Sequence, residues 1–218
     1  MPSPSSPPRV FVLSPASCAG ERARILLRDE AQFDLAVRLR DLKGVTLGET
    51  FSFLSGLYFR GKLAYGSAFA RPPGNAEGVL IITTNRGLVS PRTHVTVGEL
   101  REMACVPIGV DEPRYRGPME RDAERLAGAI GKGGEVVLLG SIATPKYVDV
   151  LRAVLGDRLR FPIEFVGRGD MSRGGLMLRC VQSGEELAYV PIDGAVRKGK
   201  RPPKLKPIRK ARVTPKPG

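Results

Sequence analysis

The chain has no tryptophan, a single histidine (His94) and three cysteines (Cys18, Cys105, Cys180) in 218 residues. The cysteines are odd in number, far apart and form no C-x-x-C pair, which argues against a disulfide framework or a structural zinc site. A lone His without a nearby ligand or nucleophile disfavours a His-based triad. No apolar run approaches the roughly 20 residues that span a bilayer. Leu13–Cys18 has the outline of a lipoprotein cleavage site, but only Val10–Leu13 precede it as an apolar stretch. That is short of the roughly 7–15 residues of a signal core, so a reducing, cytoplasmic setting is expected.

Asp and Glu are also missing from residues 197–218, and this absence is the most informative one. The segment holds ten basic residues: Arg197, Lys198, Lys200, Arg201, Lys204, Lys206, Arg209, Lys210, Arg212 and Lys216. The net charge is +13, so the other 196 residues carry only three positive charges between them. A nearly neutral body with a concentrated basic arm points to a polyanionic partner, foremost a nucleic acid, DNA or RNA. Pro202, Pro203, Pro207, Pro215 and Pro217 keep the arm extended. It has no aromatic residue, so its contacts should be to phosphates and not stacked bases. An acidic membrane surface or an acidic protein is the other partner such an arm suits. Oligomeric state is left open.

Residues 1–8 are rich in Pro and Ser and read as a disordered N-terminal arm. Residues 9–196 have the composition of one α/β domain, and 197–218 read as a basic disordered tail. Within the domain, Arg9–Ser14, Gly78–Thr84 and Glu135–Leu139 are unbroken apolar runs suited to strands covered on both faces. Arg160–Val166 and Ala188–Ile192 are further strand candidates. Helices are expected from Gly20 through Leu39, over Leu57–Ala70 despite Gly61 and Gly66, and over Pro118–Ile130. The Thr96-Val97-Gly98-Glu99 capping box opens another, running to about Ala104. Thr144-Pro145 predicts a further helix to Leu155. Val45–Phe53 leans to strand. Strands alternating with helices imply a single three-layer domain on a mostly parallel sheet.

In such sheets ligands sit beyond the carboxyl ends of the strands. Three strand ends run into loops of small polar residues followed by helices: Ser14–Gly20, Thr83–Gly87 and Gly140–Thr144. From these, Ser17, Cys18, Asn85, Arg86 and Ser141 are candidates to position a substrate, with Lys146 and Tyr147 just beyond. Short loops also use such residues merely to turn and cap. The segment Gly167-Arg168-Gly169-Asp170-Met171-Ser172-Arg173-Gly174-Gly175 reads as a loop that could hold phosphate through Arg168 and Arg173. Asp170 is there the candidate general base, with Asn85 the second candidate for a catalytic role. No cofactor signature stands: Gly128–Gly133 precedes a strand, whereas a P-loop follows one, and no G-x-G-x-x-G opens a helix.

The early strand with Ser14–Cys18, then Leu57-Tyr58-Phe59-Arg60-Gly61-Lys62, Thr83-Thr84-Asn85-Arg86-Gly87-Leu88-Val89 and the later strand–Gly140 step resemble uracil-DNA-glycosylase-fold α/β domains. The kind meant is the domain attached to archaeosine-biosynthesis enzymes and its bacterial relatives. The likeness covers roughly residues 9–165 and implies an α/β fold working on nucleobases. Glycosylases of that fold carry a His on a late loop. This chain has none there, so no catalytic residue is carried over. The expectation is a nucleic-acid-associated protein acting on a base or nucleotide at the strand ends, or else a non-catalytic binding module anchored by its tail.

Overall fold

The computed structural model describes residues 7–196, 199–203 and 205. In chain order the first half runs β1 (Arg9–Leu13), α1 (Glu21–Leu26), α2 (Asp34–Arg40), β2 (Val45–Thr46), α3 (Leu47–Ser55) and α4 (Leu57–Phe69). There follow β3 (Val79–Ile82), β4 (Leu88–Val89), β5 (His94–Val95), α5 (Val97–Ala104) and α6 (Pro113–Ile130). The chain continues with β6 (Glu135–Leu139), α7 (Val148–Leu155), β7 (Leu159–Pro162), α8 (Asp170–Ser183) and β8 (Tyr189–Pro191).

Six strands form one sheet in the order β4-β3-β1-β6-β7-β8. The inner four are mutually parallel, and β4 and β8 close the edges as antiparallel partners. The expected α/β class with a mostly parallel sheet is thus what the chain forms. Its apolar runs explain the order: Val10, Phe11, Val12 and Leu13 are wholly buried at the centre, as are Val136–Leu139 beside them. β2 and β5 make a separate antiparallel pair. Helix α4 packs on β1 and β3 and against α8, while α6 and α7 pack on each other. Among the described residues no helix is long and apolar enough to cross a membrane.

Several elements depart from their sequence reading for identifiable reasons. The helix expected over Gly20–Leu39 is two helices, because Leu27–Phe33 turns away. Arg40 donates to the carbonyls of Arg28 and Ala31 (3.3 and 2.6 Å), and Phe33 stacks on Phe53 at 5.4 Å. Val45–Phe53 is mostly helix: Thr46 Oγ1 caps α3 by accepting from the Glu49 N–H at 3.3 Å. Helix α6 begins five residues before Pro118, at Pro113, with the Glu112 carboxylate accepting from Arg114 N–H at 3.1 Å. Helix α7 starts at Val148 and not at Pro145, since Tyr147 is the N-cap. The strand expected over Arg160–Val166 stops at Pro162 and turns through a short 3-10 helix.

The largest correction concerns Gly167–Gly175, which is not a loop beyond Gly169. Asp170 onward is helix α8, whose Gly174 lies against the backbone of α4. The reading of residues 1–8 as a disordered arm falls, up to residue 6, outside the described residues. So do Arg197, Lys198, Lys204, Lys206, Arg209, Lys210, Arg212 and Lys216 of the tail.

Candidate functional site

The chain leaves β1 toward β3 on one side and later returns past it to β6 on the other. At that switch point the flanking loops diverge and a crevice opens beyond the strand ends. Here it is a cleft of about 680 Å³. The loop after β1 supplies Ser14, Ser17 and Cys18, and the loop after β6 supplies Ser141, Thr144, Lys146 and Tyr147. Thr84, Tyr58 of α4 and Asp170 at the first turn of α8 also line it, with Met103, Val106 and Ile108 as apolar lining.

Under this cleft lies a lysine that is 1% exposed. Lys62 Nζ donates to Ser14 O at 2.5 Å and lies 2.8 Å from Ser14 Oγ. It also sits over the rings of Tyr58 and Phe59, 4.5 and 4.8 Å from their centroids. Burial pulls its pKa down to about 7; Asp170 opposes the shift and Arg173 adds to it. Tyr58 is 7% exposed, and among the described residues its hydroxyl has no hydrogen-bond partner. Burial pushes that phenol up to about 12. The Arg173 guanidinium opposes this shift without a hydrogen bond to the Tyr58 hydroxyl. Tyr147, also raised by burial, accepts the Ser141 N–H on its hydroxyl at 3.2 Å. Gly140 leaves room for the group: a Cβ there would stand 2.8 Å from Ser14 Cβ and 3.2 Å from Tyr147 Oη.

The structure brings together some of the residues singled out in the sequence and separates others. Ser17, Cys18, Ser141, Lys146, Tyr147 and Asp170 all border the cleft. Asn85 and Arg86 do not. The end of β3 turns through a tight hairpin at Gly87 (φ +68°) into β4, where a helix was expected. Asn85 therefore faces a neighbouring groove with Glu102 and Cys105, and Arg86 is paired with Glu99 at 2.7 Å. Arg168 donates to Glu164 O (3.0 Å) and Ser172 Oγ (3.2 Å). Arg173 gives two hydrogen bonds to Phe165 O (3.2 and 3.1 Å) and lies over the Phe165 ring. Both arginines thus brace the turn before α8. Asp170 keeps its carboxylate 68% exposed.

Lys62 and Tyr58 had entered the sequence reading only as part of a resemblance. The missed signal is helical spacing: Lys62 stands three and four residues from Phe59 and Tyr58 and three from Tyr65. It therefore falls on the buried stripe of α4, where a charge is out of place. Comparison with known proteins adds no family: no family model, curated protein or solved structure matches the chain.

Cys18 borders the cleft as a free thiol, a place where a thiolate would be reactive. Burial instead pushes its thiol up to about 12. Iodoacetamide at pH 8 should therefore alkylate only the exposed Cys105 in the folded protein, with Cys18 and Cys180, both buried, reacting after unfolding. Equal rates at Cys18 and Cys105 in peptide mass spectrometry would sink this reading.

Proposed function

We propose that the protein binds nucleic acid, its basic C-terminal residues engaging phosphates while the cleft takes a nucleobase or nucleotide unit. One observation carries this reading: the basic segment starts beside the rim of the cleft. Lys200 O lies so close to Gly167 that a Cβ there would come within 2.2 Å of it, and Leu205 reaches Gly175. Arg201, Pro202 and Pro203 line a groove of about 350 Å³ together with Arg168 and Gly169. The next residue, Asp170, borders the cleft itself. The domain's contacts thus extend past the 196/197 boundary drawn from composition, and Lys200 and Arg201 are exposed there.

The lining fits a neutral, heteroatom-rich ring better than a bare anion. Hydroxyls of Ser14, Ser17, Ser141 and Thr144 can donate or accept, Lys146 can donate, and the Asp170 carboxylate can accept from ring N–H groups and offset the lysine's charge. All four segments that carry the likeness to uracil-DNA-glycosylase-fold domains contribute to or lie just beneath this cleft, which supports keeping that likeness as a working relation. We also infer the three-layer arrangement. Right-handed crossovers of a sheet ordered β3-β1-β6-β7 require α4 on one face and α6 and α7 on the other. The position of Asn85 and Arg86 outside the cleft favours, as a second reading, a module that binds without turnover.

The test is fluorescence anisotropy on single- and double-stranded DNA and RNA across a salt series. It compares the full chain with a full-length variant carrying Gln at Lys204, Lys206, Arg209, Lys210, Arg212 and Lys216. If those six residues each neutralise a phosphate, log affinity on duplex falls with log salt about 5 units more steeply for the natural chain. Identical affinity and slope in the two proteins would refute phosphate contact by the tail.

A further inference from the structure

We propose that Ser14 and Lys62 form a serine–lysine pair, with Ser14 Oγ the nucleophile toward an ester or amide carbonyl held in the cleft and Lys62 Nζ its base. The inference goes beyond nucleic-acid binding and stands whether or not the tail meets a polyanion. Its ground is the geometry at the end of β1. Ser14 borders the cleft, and the amine lies 2.8 Å from its hydroxyl oxygen, within the range of a base and its nucleophile.

A cap for the first carbonyl beyond β1 would not call for this residue. Lys62 is 1% exposed, and no carboxylate forms an ion pair with it among the described residues. A buried, unpaired ammonium is expensive, whereas a neutral amine fits every contact on the page. One N–H of the amine goes to Ser14 O and another faces the Tyr58 and Phe59 rings. The lone pair is left to accept from Ser14 Oγ–H. Tyr58 lines the cleft, and its hydroxyl, buried and without a partner among the described residues, has a donor to spare for a developing oxyanion.

In the reaction, the Ser14 proton passes to Lys62 Nζ as Oγ forms a bond to the carbonyl carbon. The carbonyl oxygen takes the negative charge and accepts from the Tyr58 hydroxyl. Collapse breaks the bond to the alcohol or amine, which leaves with the proton from Lys62. Water then attacks the acyl-serine, gives a proton to Lys62, and releases the acid with Ser14 Oγ–H restored. Groups facing the pair are Tyr58 on the same helix, Tyr147 at the start of α7, and Asp170 and Arg173 on α8. Burial, with this surround, holds the amine near a pKa of about 7, where its neutral form is populated.

The experiment uses a fluorophosphonate on the full chain between pH 5.5 and 9, with the adduct mapped by mass spectrometry. The probe loses fluoride as its phosphorus bonds Ser14 Oγ. A single adduct at Ser14 is expected, its rate rising about tenfold per pH unit below pH ~7 and levelling above. Lys62→Gln and Lys62→Arg should slow it about a hundredfold or more, and Ser14→Ala should abolish it. An adduct at another residue, none at all, or equal rates in the folded Lys62 variants overturns the proposal. Should those variants not fold, the natural chain decides, because a rate independent of pH across this range overturns it equally.

Discussion

Gly61→Val lowers the stability of the fold by roughly 3 kcal/mol or more in urea unfolding, or prevents folding outright. Helices α4 and α8 cross here with their backbones in contact. A Cβ on Gly61 would lie 2.7 Å from Gly174 O and 2.9 Å from Gly174 Cα. A Cβ on Gly174 would meet Leu57 O at 2.7 Å and Tyr58 Cα at 2.9 Å. No side chain can rotate away from these clashes, so the helices must part. Parting them pulls Tyr58 and Lys62 on one helix from Asp170 and Arg173 on the other, and the cleft opens at its base. Gly175 is the internal control. Among the described residues its Cβ would touch only Leu205 Cδ1, at an ordinary 3.6 Å. Gly175→Ala should be neutral or gain up to about 1 kcal/mol from helix propensity. Equal midpoints for Gly61→Val and Gly175→Ala would show that the helices do not touch.

Lys62→Met removes a dependence of stability on pH that the natural chain displays between pH 7 and 9. In the folded protein the ammonium loses its proton near pH 7, in the unfolded chain near its ordinary 10.5. Between those values the unfolded state binds one proton more, so stability rises with pH by about 1.4 kcal/mol per unit. Below pH 7 both states are protonated and the charged, buried lysine weighs in full against the fold. The methionine leaves Ser14 O without its donor, a constant loss of about 1–3 kcal/mol. The difference between the two stability curves is therefore what matters. It should slope from pH 7 to 9 and flatten toward pH 6. A difference that stays level throughout means that Lys62 is not charged in one state and neutral in the other.

What could be read in advance followed from pattern length. Val10–Leu13, Val79–Ile82 and Val136–Leu139 are apolar without interruption, and runs this short and rich in β-branched residues suit a strand buried on both faces. Thr96 and Glu99 announced α5 because a capping box is local. The same spacing at Thr46 and Glu49 went unread, since Val45 and Phe51 pulled the segment toward strand. Helix α8 was hidden by its glycines: Gly174 looks like flexibility in isolation and is a close crossing only once α4 lies beside it. For the cleft, Ser17, Ser141 and Asp170 followed from strand ends and a carboxylate near small residues. Asn85 and Arg86 did not, because nothing local to Thr83–Gly87 tells a hairpin from a strand–helix turn. Lys62 was legible in principle, as a charge on an apolar stripe, though its partner Ser14 lies 48 residues away.

The central strand is also the first to be made. During synthesis Val10, Phe11, Val12 and Leu13 leave the ribosome with neither neighbour available. The partner on one side, Val79–Ile82, comes some 70 residues later, and the other, Glu135–Leu139, pairs in register with residues 9–13 at a separation of 126. At translation rates of roughly 5–20 residues per second, an adhesive strand waits about 6–25 s for its second flank. In that interval it can pair with the same strand of another nascent chain on a polysome. The arrangement thus ties the yield of folded protein to the pace of translation and to whatever shields residues 10–13 meanwhile.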